Sequence, residues 1–220
     1  MLSKPLSLIV MAWALVQSQP DPNAALFEAL SAGDSAKVRK LLEGGADPNA
    51  RSRTYPALVW AFWAKKPETP GIIAALLKAG ADPSAVGSDT KAAPQLAAEQ
   101  PQPVLLDAFL ANGVAADWKN NNQESLLGIA SAYGHVQVAS RLLGRGASIN
   151  AQDDEGFTPL MNACQNRHVE VVRILLQKKA DKSLTNRYGE TALSLVRGKY
   201  EDTQAGKTRK EIVALLEEVK

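Results

Sequence analysis

A chain of 220 residues is long enough for one sizeable core or a short array of repeats. Its 25 basic and 23 acidic residues nearly balance, which gives no bulk attraction to nucleic acid. The single Cys164 excludes an internal disulfide and, with only two histidines beside it, leaves no Cys/His cluster for a structural metal.

The first twenty residues stand apart. Lys4 precedes an apolar run over 6–16, and Gln17-Ser18-Gln19-Pro20 then turns polar. A short basic region, an apolar stretch and a small residue at the polar boundary predict a signal peptide over 1–18. Cleavage follows Ser18, with Val16 two residues before it, or Ala14, with Ala12 two residues before it. The competing reading is an apolar helix that stays on and packs. The run is well short of the ~20 residues that span a bilayer, so no membrane insertion is expected after cleavage. Cleavage after Ser18 removes Lys4 alone and lowers the formal charge from +2 to +1. An exported chain with one cysteine fits a bacterial periplasm better than a disulfide-rich extracellular space.

Beyond the leader a short phrase recurs. It reads Gly45-Ala46-Asp47-Pro48-Asn49, Gly80-Ala81-Asp82-Pro83-Ser84 and Gly146-Ala147-Ser148-Ile149-Asn150, with weaker copies at Gly113-Val114-Ala115 and Lys179-Ala180-Asp181. Successive copies stand 35, 33, 33 and 33 residues apart. A period of this size means stacked copies of one supersecondary unit, none able to bury its apolar face alone.

Six units follow in order. Residues 24–50 lack a leading turn and read as an N-terminal cap. Residues 51–85 carry a two-residue insertion around 65–70, and Trp60, Phe62 and Trp63 crowd one helix, so they cannot all face one side. Residues 86–119 depart most: Ala92-Ala93-Pro94 opens the unit, Gln100-Pro101-Gln102-Pro103 fills its turn, and Gly87 and the prolines are expected to interrupt the helices. Residues 120–152 use Gln123-Glu124-Ser125-Leu126 at the opening. Residues 153–185 are the clearest unit. There Asp154-Glu155-Gly156 is a turn signal, Thr158 caps a helix with Pro159 in its first position, and Leu160, Ala163 and Cys164 recur at helical spacing. A second helix from Val169 carries Val172, Leu175 and Leu176 as its stripe, and Lys178 and Lys179 meet the negative end of its dipole. Residues 186–220 open well with Tyr188-Gly189-Glu190-Thr191, take an insertion near 200–206, and close on a polar helix over 212–219 suited to a terminal cap.

Gly156-Phe157-Thr158-Pro159-Leu160 with Val171-Val172 and Leu175-Leu176, and Gly134-His135-Val136 with Leu142-Leu143 and Gly146-Ala147, closely resemble the ankyrin repeat. The resemblance covers about 24–220, and with its leader the chain resembles exported bacterial ankyrin-repeat proteins. It implies an all-α solenoid of about six helix-turn-helix units with loop or β-hairpin tips. It further implies a monomer that binds another protein through its concave face, with no cofactor. More specific roles it suggests are neutralising an exported toxin or lipase, or assisting periplasmic stress or envelope enzymes.

Catalysis finds no support in the residues. His135 and His168 stand 33 residues apart at the same turn position, which reads as a repeated structural hydrogen bond rather than a base or metal pair. Cys164 falls where other units carry Ala97-Ala98 or Ala130-Ser131, the place of a small core filler. No nucleophile elbow, phosphate loop or zinc-protease motif occurs. The register of the resemblance puts the partner-binding surface at Trp63, Asn121, Asn122, Tyr133, Asp154, Glu155, Phe157, Arg187 and Tyr188, with aromatics as the natural anchors. Trp118 beside a loop is a further anchor or a packing residue.

Overall fold

A computed structural model describes residues 22–197 and 204–218. The leader and most of the insertion near 200–206 therefore lie outside the described residues. The chain divides into two units, one ending at Asp82 and one beginning at Pro83.

The first unit holds α1 (Pro22–Ala32), α2 (Ser35–Glu43), the strands β1 (Arg51–Ser52) and β2 (Tyr55–Pro56), α3 (Ala57–Ala64) and α4 (Thr69–Lys78). Asp34 starts α2 by accepting from the Lys37 amide at 2.9 Å. Leu26, Ala29 and Leu30 of α1 and Ile72, Ile73 and Leu76 of α4 follow helical spacing and are buried, so each helix turns one stripe inward. The strands pair antiparallel, with Ser52 opposite Tyr55 and Arg53 in the left-handed region at φ 56°. This hairpin is a loop tip of the expected kind.

The second unit runs α5 (Ala93–Ala98), α6 (Val104–Ala111), α7 (Leu126–Ala132), α8 (Val136–Gly144), α9 (Pro159–Gln165), α10 (Val169–Gln177), α11 (Ala192–Arg197) and α12 (Gln204–Glu217). The helices α5, α7 and α9 are short and buried almost all round; α9, for one, lies between α7 and α11 and is backed by α10. Small residues allow that approach: Ala97, Ala98, Ala130, Ser131, Ala163 and Cys164 are all buried. The longer partner helices bury one stripe each, such as Val138, Ala139 and Leu142 on α8 and Val171, Val172 and Leu175 on α10. Burial of each valine or leucine among them stabilises by about 2 kcal/mol.

Two expectations are revised. The prolines of 86–119 do not interrupt helices: Pro94 lies in the first turn of α5 and Pro103 caps α6, positions where a missing N–H costs nothing. The closing helix is also longer than 212–219 suggested. It starts at Gln204, inside the insertion, and ends at Glu217, with Ile212 and Leu216 buried.

The recurring phrase now has a physical meaning. Gly45, Gly80, Gly113 and Gly146 end their helices with φ between 84° and 94°, a backbone glycine adopts at little cost. Lys179 takes the same role at φ 66°. The polar end of one phrase holds the next: in the first unit the Asn49 Oδ1 accepts from the Asp82 amide at 2.7 Å, and in the second the Asn150 Oδ1 accepts from the Asp181 amide at 2.9 Å. Asp117 does the same for the Ser148 amide at 2.5 Å.

Candidate functional site

The histidines are spent on architecture. His135 and His168 precede α8 and α10, and their Nε2 atoms donate to the Glu99 carbonyl at 2.8 Å and the Ala132 carbonyl at 3.0 Å. Each ring thus pins a turn to the end of the previous short helix, 36 residues back. Tyr133 stacks on His135 with ring centroids 5.8 Å apart. Among the described residues no group of three or more His, Cys, Asp or Glu side chains is placed to hold a metal ion. Cys164 is buried, and desolvation pushes its thiol up to about 12, so it has little nucleophilic thiolate at neutral pH.

The loop tips of the second unit share one design. Asn120, Asp153 and Asn186 occupy equivalent positions, and each folds its Oδ1 back onto two backbone amides of its own turn. Asn120 accepts from Asn122 and Glu124, both at 3.0 Å. Asp153 accepts from Glu155 at 2.9 Å and Phe157 at 2.8 Å, and Asn186 from Tyr188 at 3.0 Å and Glu190 at 2.9 Å. Successive tips are also joined. The Asp154 amide donates to the Asn122 carbonyl at 3.2 Å, the Arg187 amide to the Glu155 carbonyl at 2.9 Å, and the Arg187 guanidinium to the Asp154 carbonyl.

This arrangement sorts the expected binding residues. Asn121, Asn122, Asp154 and Glu155 are exposed on braced backbone, as is Tyr188 at 62%. Tyr133, at the end of α7, is 49% exposed. Phe157 is half-buried, and Arg187 is exposed with its guanidinium already engaged. Trp118 packs rather than projects, its indole N–H donating to the Ser84 hydroxyl at 3.2 Å. Trp63 belongs to the first unit and is 50% exposed.

Beside these lies a polar cluster that periodicity does not reveal. The Lys91 ammonium bonds both Glu99 carboxylate oxygens at 2.8 Å, and the buried Gln95 amide donates to the same carboxylate at 3.3 Å. The bond to Glu99 raises the Lys91 pKa above its ordinary value. The Asn120 amide donates to Glu124 at 2.5 Å and to Gln95 at 3.4 Å, which ties the cluster to the first of the three tips. The available sequence signal was the pairing of Asn with Glu four residues on, at Asn120 and Glu124 and again at Asn186 and Glu190.

The fold and surface describe an array of helix-pair repeats with braced loop tips. A family model described as ankyrin repeats, in three copies, matches residues 94–195. A putative ankyrin repeat-containing protein of Treponema pallidum (strain Nichols) is 32% identical over 96 residues, 43% of this chain and 32% of that protein. The B-cell lymphoma 3 protein homolog of Mus musculus is 33% identical over 135 residues, 59% of this chain and 30% of its own length. The matches thus span about a third or less of these curated relatives. Among solved structures, the ankyrin repeat protein EF0377 superposes with a TM-score of 0.72 at 24% identity, over 88% of this chain and 96% of that one. An ankyrin repeat domain from Acinetobacter baumannii AYE gives 0.71 at 25% identity, over 87% and 95%. Residues 94–195 thus carry ankyrin repeats, on a chain with the ankyrin-repeat fold; such repeats are generally protein–protein interaction modules and typically not enzymes.

Proposed function

We propose that this chain is an exported, non-enzymatic module that grips a partner protein through Tyr133 and the braced loop tips of its second unit. The observation that carries the reading is the exposure of Tyr133 and Tyr188 on backbone already held by hydrogen bonds. An aromatic side chain on a fixed turn loses little freedom on binding, which is how a few residues come to dominate an interface. Asn121, Asn122, Asp154 and Glu155 supply polar contacts around these anchors. Export rests on the composition of residues 1–18 and the single cysteine.

The test is affinity capture from periplasmic extract with the whole chain as bait. A second bait carries Tyr133→Ala, Glu155→Ala and Tyr188→Ala, which leave the backbone ladder intact. The reading expects one protein retained by the first bait and at least ten-fold depleted on the second. Equal retention would sink the loop-tip surface. A C-terminally tagged chain that stays in the cytoplasm with its leader uncleaved would sink export.

A further inference from the structure

The first unit holds a cleft of about 490 Å³ lined by Ser31, Tyr55, Trp60, Trp63 and Ala64. It follows from the crowding of large rings on α3. Phe62 turns into the core, Trp60 turns toward α1, and Trp63 is left half in water. The polar handle of Trp60 is already used, because its indole N–H donates to the Ser31 hydroxyl at 3.0 Å. Its ring stands edge-on to Phe27 at 5.6 Å and 82°. Trp63 is braced in the same manner by Phe62, at 6.1 Å and 88°. The cleft therefore offers fixed aromatic surface, and it lies in the size range that takes one or two large side chains.

The surrounding charge selects the occupant. Arg53 stands at the hairpin tip two residues before Tyr55, and Lys65 and Lys66 follow Ala64 directly; all three are exposed. Over 51–69 the chain carries Arg51, Arg53, Lys65 and Lys66 against Glu68 alone. Among the described ion pairs, none engages Arg53, Lys65 or Lys66 with a carboxylate. A cationic side chain seated over the Trp63 ring would gain a cation–π contact but would meet this like-charged rim. A carboxylate-rich segment is drawn in by it.

We propose that the Trp60–Trp63 cleft docks an acidic segment of a partner protein, which seats one large apolar side chain between the indoles and lays its carboxylates against Arg53, Lys65 and Lys66. The site lies in the first unit and requires none of the loop-tip residues. An anionic membrane offers the same combination of charge and apolar matter. A recessed cleft, however, suits an inserted side chain, whereas a bilayer is met by a protruding patch.

The probe is a short fluorescein-labelled peptide with a central phenylalanine flanked by glutamates, titrated by anisotropy against the whole chain. Comparison peptides replace the phenylalanine by alanine or the glutamates by lysines. Binding of the first peptide is expected to weaken at least ten-fold with either comparison peptide and with Trp63→Ala. Lys65→Glu combined with Lys66→Glu is expected to weaken it by a similar factor and to flatten its salt dependence, while Tyr188→Ala leaves it unchanged. Should Trp63→Ala melt early, the lysine pair decides. Equal binding of the lysine peptide, or indifference to both the tryptophan and the lysine changes, overturns the proposal. So does Trp63-dependent sedimentation with phosphatidylglycerol vesicles in place of peptide binding, or Trp63-dependent self-association. Peptide binding that appears only when Ile9→Asp and Val10→Asp disrupt the leader assigns the cleft to the chain's own N-terminal segment and also overturns it. Failure here leaves the loop-tip reading intact, because that reading is lost through Tyr133 and Tyr188 instead.

Discussion

Changing Asn186 to aspartate replaces one nitrogen by oxygen, and the structure makes that change costly. Asn186 is 5% exposed and its amide donates to the Glu190 carboxylate at 2.9 Å. Its Oδ1 holds the Tyr188 and Glu190 amides, and aspartate would keep both of those bonds. What is lost is a hydrogen bond to a charged group, worth about 1.5–3 kcal/mol. What is gained is a second carboxylate about 3 Å from the first, a repulsion of a few kcal/mol at an effective dielectric near 20, reduced by solvent because Glu190 is half-exposed. We expect Asn186→Asp to lose about 3 kcal/mol at pH 7. For a chain of this size that lowers the melting temperature by about 6–12 °C. The deficit should shrink to about 1 kcal/mol as the pH is lowered to ~4, because two adjoining carboxylates favour uptake of a shared proton that can donate again. Circular-dichroism melts of variant and parent at pH 7 and at pH ~4 give both numbers. Asp153→Asn is the control: Asp153 faces Phe157 rather than a carboxylate, so its two amide bonds survive and the change should stay under about 1 kcal/mol. A variant that melts with the parent at pH 7, or a deficit independent of pH, would refute the assignment of the Asn–Glu pair.

Two further outcomes test the packing. A Cβ on Gly134 would lie 2.4 Å from the His168 Nδ1 at φ 73°, so Gly134→Ala should cost about 3 kcal/mol by displacing the ring that pins the turn. Gly146 has φ 84° but nothing within 4 Å of the same atom, so Gly146→Ala should cost only about 1 kcal/mol, and equal melts for the two would sink the steric account. For Cys164, folding raises the thiol from its ordinary 9.0 to about 12. Its stabilisation is therefore complete below pH ~9, declines as the unfolded thiol ionises, and is lost by pH ~12, amounting to about 4 kcal/mol. Unfolding free energies of parent and Cys164→Ala from urea titrations at pH 8 and pH ~10.5 should differ by about 2 kcal/mol more at pH 8; a pH-independent difference would show that the thiol is not desolvated.

The repeat was legible in the sequence because its signals are local. Glycine at a left-handed helix end, Thr158 before Pro159, and valines and leucines at helical spacing each act within a few residues. Repetition at a constant step then turns local rules into a fold, and the structural role of the histidines followed from register alone. The prolines of 86–119 do not follow the sequence expectation, since proline disrupts or begins a helix according to its position, and that position depends on where packing lets the helix start. Exposure was also beyond the sequence. Phe62 and Trp63 are neighbours of similar chemistry, yet one is buried at 4% and the other is half in water. Their fates depend on which side of α3 its neighbours cover, and one of them, α1, is brought in from 29 residues away at the Trp60–Ser31 bond. In the polar cluster Lys91, Gln95 and Glu99 are near neighbours in sequence, but their tie to Asn120 spans 25 residues and is made only when successive repeats stack. The chain alone determined which elements form and how they recur; tertiary structure decided which side chains are left facing water.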